Sequence, residues 1–211
     1  AADWGGVVVG VPDEDIGRAR DAGAVWFLRT GPDGVPVTSQ SWSQDSAGVA
    51  GVPERGDRFG AAVGSRGYWT AAGVPGEDDG KRADSGMVQF FSDRQEGELM
   101  TLAPAFGATQ DTAGFPGVIE AGDRFGAAVV VGDSVGCGEA TGAAIGAPGE
   151  DLGTRSDAGT VTLAGLSWRT GHCAPRVIRQ GSGLAGAAEA GDEVGSVLAL
   201  TRGRTDLEND Y

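Results

Sequence analysis

Carboxylates recur in one spaced pattern along this chain, and their spacing suggests two kinds of chemistry. Three times, a Pro-x-Glu-Asp phrase is followed six residues after its Asp by another Asp and then by a Gly. Carboxylates gathered across such a glycine-containing turn could wrap a calcium ion, with main-chain carbonyls completing its shell. The same Asp side chains could instead cap their own turns, with basic residues inside the loops as ion-pair partners. The acidic residues are Glu14, Asp15 and Asp21; Glu77, Asp78 and Asp84; and Glu150, Asp151 and Asp157.

A second phrase alternates with the acidic one. GDRFGAAV stands at Gly56–Val63 and again at Gly122–Val129, and the related GDEVGSVL stands at Gly191–Leu198. Two alternating phrases at a regular period indicate one supersecondary unit copied in tandem. The elements that position the carboxylates are therefore those of a repeat protein.

Each repeat contains several short strand patterns bounded by Gly, Pro and Asp. In the second repeat they are the GDRFGAAV phrase, a strand ending at Ala72–Pro75, a strand at Met87–Phe91 after the acidic loop, and a polar segment at about 102–109. β-Branched and aromatic residues favour strands, and no helical period interrupts the pattern. The sequence predicts an all-β fold of four-stranded antiparallel blades.

We expect some aromatic residues of the repeats to pack in the interior and others to be available to a ligand. We expect Phe59 and Phe125 to fill the space between neighbouring blades, and Val194, at the same place in the last copy, to give a looser or differently partnered seam. Trp26 is expected in the core. Trp42 is expected to pack under the linker that follows it, although Trp42, Trp69 and Trp168 could each present a ring to a sugar or protein partner.

The Phe-Gly pair followed by a Gly-Val-Pro or Gly-Ala-Pro strand end resembles the FG-GAP repeat of integrin α-subunits. The matching residues are Phe59-Gly60 with Gly73–Pro75, and Phe125-Gly126 with Gly146–Pro148. The linker at Trp42–Ser46 is similar to that of secreted proteins from filamentous actinobacteria. The resemblance implies a β-propeller, an extracellular location, and integrin-like or lectin-like binding and cell adhesion.

In the FG-GAP family a calcium loop of Asp-x-Asp-x-Asp-Gly form usually joins the first two strands. This chain departs from that pattern: the third repeat keeps a leading Asp133, while the second has the acid-free 64–67 at the same place. Residues 206–210 keep two later acidic positions, but Arg202 and Arg204 replace earlier ligands. The resemblance therefore implies Ca2+ as a cofactor at positions that this chain has largely lost.

The repeat boundaries predict about three blades, which form an incomplete ring. Residues 1–55 make a partial blade, 56–121 and 122–190 make two whole units, and 191–211 supply the first strand of another. Propellers close with about four to eight blades. The chain is therefore expected to be a segment of a longer propeller, or to close a ring with a second copy.

The charge and hydropathy of the chain limit the kinds of partner that we expect it to bind. The formal net charge is -14, with 30 acidic residues against 16 Lys and Arg, which disfavours nucleic acid and anionic membranes. The sequence has no long apolar run, so we expect no membrane insertion, and it begins without a leader pattern, as after leader removal or within a longer chain. A protein or carbohydrate ligand is the expected partner.

The cysteines and the single histidine allow two interpretations each. Cys137 and Cys173 could form one disulfide of a secreted protein, or remain two free thiols. His172 adjoins Cys173, but neighbouring residues of an extended loop point apart, which is unsuited to a nucleophile and its base. Paired carboxylates could serve a hydrolase, yet three equivalent copies indicate architecture. We therefore predict a non-enzymatic protein.

Overall fold

The computed structural model describes residues 5–31, 33–96, 99–133, 135–136, 141–166 and 174–201. These residues form twelve strands, and none of them lies in a helix. The strands make three separate sheets, in which every pairing but one is antiparallel. The predicted all-β class is confirmed.

The strands follow one another in simple meanders. The first sheet has the order β1 (Gly5–Val11), β2 (Ala24–Thr30), β3 (Pro36–Trp42). The second has the order β4 (Val63–Arg66), β5 (Trp69–Val74), β6 (Met87–Glu96), β7 (Leu99–Ala108). The third runs from β8 (Ala128–Asp133) through β9 (Thr141–Ala147), β10 (Thr160–Gly165) and β11 (Arg176–Gln180) to β12 (Gly183–Leu184), which pairs with β11 in parallel. Each sheet lies within one of the predicted units.

The register shows that the copies fold alike. Val63 lies opposite Ala72 across β4 and β5, and Val129 lies opposite Ile145 across β8 and β9. Both partners stand three residues before the Pro of an acidic phrase. Equal phrases therefore occupy equal places in the second and third sheets.

One predicted strand is shorter than expected. The GDRFGAAV phrase was expected to be a strand throughout, but β4 begins only at Val63 and β8 at Ala128. The earlier residues form a turn, because Arg58 and Arg124 adopt left-handed backbone, with φ of 58° and 55°. Extended pairing cannot pass through that conformation.

The hydrophobic core lies between consecutive sheets. Phe59 packs with Val25 of the first sheet and Val74 of the second, and Phe125 packs with Val88 and Ile145 of the second and third. Both Phe rings are fully buried, as predicted. Val194, at the same place in the last copy, is only partly buried, which agrees with the looser seam expected there.

Glycine permits the close approach of main chains at these seams. A Cβ on Gly73 would lie 1.9 Å from the carbonyl oxygen of Gly126, and a Cβ on Gly10 would lie 1.9 Å from that of Gly60. Gly146 has the same relation to Gly195. Only a residue without a side chain fits there, and the contact recurs at all three seams.

Trp26 contradicts the prediction that it belongs to the core. Its side chain, on β2, is 41% exposed. Gln89 of β6 and Thr162 of β10 stand at the same repeat position, and both are buried. Gln89 is covered by the preceding linker, whose Ala50 N–H donates to its Oε1 at 2.9 Å. In the described part of the chain no such linker covers the first sheet, so Trp26 remains open.

Several predictions fall on residues outside the described ranges. These are the disulfide of Cys137 and Cys173, the pair of His172 with Cys173, the role of Trp168, and the acidic positions 206–210.

Candidate functional site

The three acidic loops join the second strand position of each unit to the third. They connect β1 to β2, β5 to β6 and β9 to β10. In each loop the first Asp accepts the main-chain N–H of the second: Asp15 from Asp21 at 3.0 Å, Asp78 from Asp84 at 2.8 Å, and Asp151 from Asp157 at 2.9 Å. The structure thus brings the two Asp residues of each loop together as a capped turn.

The Glu residues of two loops leave this turn and reach the preceding linker. The amide nitrogen of Gln44 donates to Glu77 Oε2, and that of Gln110 donates to Glu150 Oε2. Gln44 follows β3 of the first sheet, and Glu77 follows β5 of the second, so this contact joins neighbouring units. Glu14 is at the same place in the first loop, where no described Gln meets it.

A buried Asp lies beside each of these Glu residues. The Asp57 carboxylate accepts the Glu54 N–H at 2.5 Å, and the Asp123 carboxylate accepts the Glu120 N–H at 2.6 Å. Their main-chain carbonyls accept the N–H of the glycine just before each Glu, at 3.1 Å in both copies. We call Gln44, Glu77 and Asp57 the first triad, and Gln110, Glu150 and Asp123 the second triad.

The Glu and Asp carboxylates of the triads have raised pKa values. Burial, with further repulsion from Asp57 and Glu54, raises the pKa of Glu77 to about 7, against the hydrogen bond from Gln44 that lowers it. The pKa of Glu150 rises to about 7 for the same reasons, with Asp123 and Glu120 as neighbours. Burial likewise raises the pKa of Asp57 and of Asp123 to about 6.

Some oxygen atoms of the triads lack hydrogen-bond partners among the described residues. They are the amide oxygens of Gln44 and Gln110 and Oδ1 of Asp123. Gln44 is 5% exposed, Gln110 3% and Asp123 0%, so water reaches them poorly. Buried polar atoms are normally paired, so these three call for an explanation.

The last copy contains part of a third triad. With its amide oriented to satisfy both contacts, Gln180 donates to the Ala187 carbonyl at 3.2 Å and to Asp192 Oδ2. Gln180 and Asp192 correspond to Gln110 and Asp123, but no described Glu completes the set. The Gln therefore binds the Asp directly.

An ion pair occupies the place at which the FG-GAP resemblance implied a calcium loop. The Arg66 guanidinium, at the end of β4, donates to Asp133 Oδ2 through Nε at 2.8 Å and through a terminal nitrogen at 2.6 Å. Asp133 is the acid that the resemblance matched to the first position of that loop. An arginine thus neutralises the carboxylate that a cation would need there.

Sequence reasoning found the acidic loops but missed the Gln and Asp members of the triads. A signal was present, because Gln and Asp recur beside each copy of the Glu: Gln44 and Gln110 in the linkers, Asp57 and Asp123 in the GDRFG phrases. Within the described ranges, no point gathers three or more His, Cys, Asp or Glu side chains as a metal centre. None of the described residues belongs to a helix able to cross a membrane.

No known family profile matches the chain, and no curated protein matches it.

Proposed function

We propose that the three sheets are blades of an incomplete FG-GAP-like propeller, and that the protein is a secreted, non-catalytic module for binding and adhesion. Its ligand would be a protein or glycan held by loops on one propeller face. The observation that carries this proposal is the repetition of one capped acidic turn at the same end of three equivalent sheets. Equivalent loops on equivalent sheets present their side chains as an array.

The exposed acids of these loops support a binding role. Asp13 and Asp79 do not cap the turns, and both are exposed, as are the caps Asp15, Asp78 and Asp151. Asp13 pairs with Arg58 at 3.3 Å and Asp79 with Arg82 at 3.1 Å, in contacts that water screens. Such carboxylates can exchange an internal partner for an external one at little cost.

A glycan array and a cell-surface binding assay test the proposal. We expect a ligand whose binding weakens at least about tenfold when Asp13 and Asp79 are both replaced by Lys, because charge reversal removes attraction and adds repulsion. Replacing Asp111, an exposed linker acid, by Lys is the matched control. Finding no ligand by either assay, or an equal loss in the control, would contradict a loop-borne site.

A second candidate function, a structural scaffold or subunit of an extracellular assembly, is favoured by the uncovered first sheet. A cavity of about 130 Å³ beside Trp26 is lined by Glu14, Ser41 and Ser43. The equivalent Gln89 is covered by a linker in the second unit. The place that a linker takes over Gln89 in the second unit is therefore open beside Trp26, and a linker of another unit could cover it.

The last described residues of the chain could pair with the exposed edge of β1 in another unit. Extending the register of the complete units would place Leu198 opposite Val9 and Leu200 opposite Val7 of β1. Val9, Val7 and Leu200 are all exposed large apolar side chains. Other blades of the array or a second copy of the chain could supply this pairing, and a ring of two copies would have six blades. Light scattering that finds a stable monomer at all concentrations would contradict the second-copy version.

A carboxylate-based hydrolase is the least favoured alternative. Asp57 and Asp123 have the most perturbed Asp environments, but they are 1% and 0% exposed. A substrate would not reach them. Loss of hydrolytic activity on replacing Glu77 alone would be needed to favour this alternative.

A further inference from the structure

The two complete triads concentrate negative charge without a basic partner. At the first, Asp57 is buried and Glu77 is partly buried, and Glu54 and Asp78 add negative charge nearby. None of the ion pairs that the described residues form with one another includes any of these four acids, or their counterparts Glu120, Asp123, Glu150 and Asp151. Carboxylates held away from water without a cationic partner favour the binding of an ion.

The unpartnered oxygens lie at the same places. The Gln110 amide nitrogen donates to Glu150 Oε2, and the oxygen of the same amide has no partner among the described residues. Oδ1 of Asp123, a carboxylate that repels the charge of Glu150, has no partner either. The Gln44 amide oxygen repeats the arrangement in the first triad. The atoms left over are acceptors, so the missing partner is a donor or a cation.

We propose that each complete triad is a calcium site, in which one Ca2+ is bound by the Glu and Asp carboxylates and by the oxygen of the Gln amide, which turns over so that its oxygen and not its nitrogen faces the Glu. The ion would lie between neighbouring sheets and tie the linker of one unit to the acidic loop of the next. The first site is formed by Gln44, Glu77 and Asp57, and the second by Gln110, Glu150 and Asp123.

The chemistry of the donors suits calcium. Ca2+ takes six to eight oxygen ligands in flexible geometry and accepts carboxylates, amide oxygens, main-chain carbonyls and water. Two carboxylates supply the charge that balances the ion. Each triad supplies two acidic ligands, so amide, main-chain and water oxygens would complete the shell.

This assignment differs from a site inside the acidic loop. Asp15, Asp78 and Asp151 cap their turns, so they are engaged with main-chain N–H groups. The ion would instead bind the Glu of the loop together with the Gln and the Asp of the same triad, both of which precede that Glu in the chain. Glu14 has no Gln or Asp of this kind in the described chain, and Gln180 with Asp192 has no Glu. The expected stoichiometry is therefore two ions per chain.

Native mass spectrometry of the whole chain, stripped with chelator and then titrated with calcium chloride, tests the proposal. We expect two bound Ca2+ ions, and a higher melting temperature in calcium than in chelator. Glu77→Gln and Glu150→Gln should each remove one ion, or weaken one site at least about tenfold, and the double variant should bind none. Glu14→Gln is the matched control and should still bind two.

Melting temperatures of the Gln variants separate a ligand from a merely structural side chain. In chelator, Glu77→Gln should be at least as stable as the parent, because it removes a partly buried acid but keeps a side chain that can hydrogen-bond Gln44. In calcium it should gain less stability than the parent. The proposal is overturned if the parent binds no calcium at millimolar concentration, if Glu14→Gln loses an ion, or if the Glu77 and Glu150 variants retain both ions.

Discussion

The Arg58 main-chain N–H donates to the Asp21 carbonyl oxygen at 3.1 Å, and both residues have left-handed backbone, with φ of 58° and 53°. This contact ties the acidic loop of the first unit to the GDRFG turn of the second. Asp84 with Arg124, and Asp157 with Glu193, repeat it at 3.0 Å. The two phrases that recur in the sequence are therefore the two halves of one joint.

The left-handed backbone at Arg58 predicts that glycine is better tolerated there than alanine. Arg58→Gly should raise the free energy of unfolding by about 1 kcal/mol relative to Arg58→Ala, because only glycine adopts this φ without steric cost. Both variants lose the exposed ion pair with Asp13, so their difference isolates the backbone. Urea denaturation measures it, and equal stability of the two variants would contradict the assigned conformation.

The glycine contacts between sheets predict a steric defect. Gly73→Ala should lower the free energy of unfolding by about 3 kcal/mol, because its Cβ would lie 1.9 Å from the Gly126 carbonyl oxygen, which can move only with its main chain. Gly80→Ala, in open space at φ 64°, is the control and should cost about 1 kcal/mol. Chemical denaturation that ranks Gly80→Ala as the more damaging change would refute the close approach.

Burial of the Phe rings predicts different costs at different seams. Phe125→Ala should cost about 3 to 5 kcal/mol, since the ring is completely enclosed between the second and third sheets. Val194→Ala, at the same repeat position but partly exposed, should cost less than about 1.5 kcal/mol. Thermal unfolding of both variants checks this order, and a larger loss at Val194 would show that the last seam is the tighter one.

Stability should depend on pH because of the triad carboxylates when calcium is removed by chelator. Burial raises the pKa of Glu77 and Glu150 from 4.5 to about 7, so the folded state binds more protons than the unfolded state between these values. The free energy of unfolding should therefore be highest below about pH 4.5 for these groups and fall as the pH rises through 7. Asp57 and Asp123 add a similar fall between 3.8 and about 6.

The double variant Glu77→Gln, Glu150→Gln is the control for this pH dependence, because neither replacement titrates. Its denaturation free energy, measured across the same pH series, should fall less between pH 5 and 8 than that of the parent. A parent whose stability rises over that interval would contradict the raised pKa values.

The fold was more accessible to sequence reasoning than the triads. Repetition of phrases and β-branched runs predicted the strands near Met87–Phe91, and the Phe-Gly pair predicted burial of Phe59. Trp26 was placed wrongly because its neighbours across the seam decide its exposure, and the buried equivalent Gln89 has a linker over it. Gln44 and Glu77, 33 residues apart, meet only after two units pack together. Pattern spacing within one unit does not contain that contact.

The most direct test of the propeller account is a crystal structure of this chain grown with calcium chloride. If the three sheets are propeller blades, one constant rotation about a common axis relates the first sheet to the second and the second to the third. If a second copy closes the ring, residues 198–201 of one copy pair with β1 of the other. Sheets related by unlike rotations, or by translation without a shared axis, would contradict it.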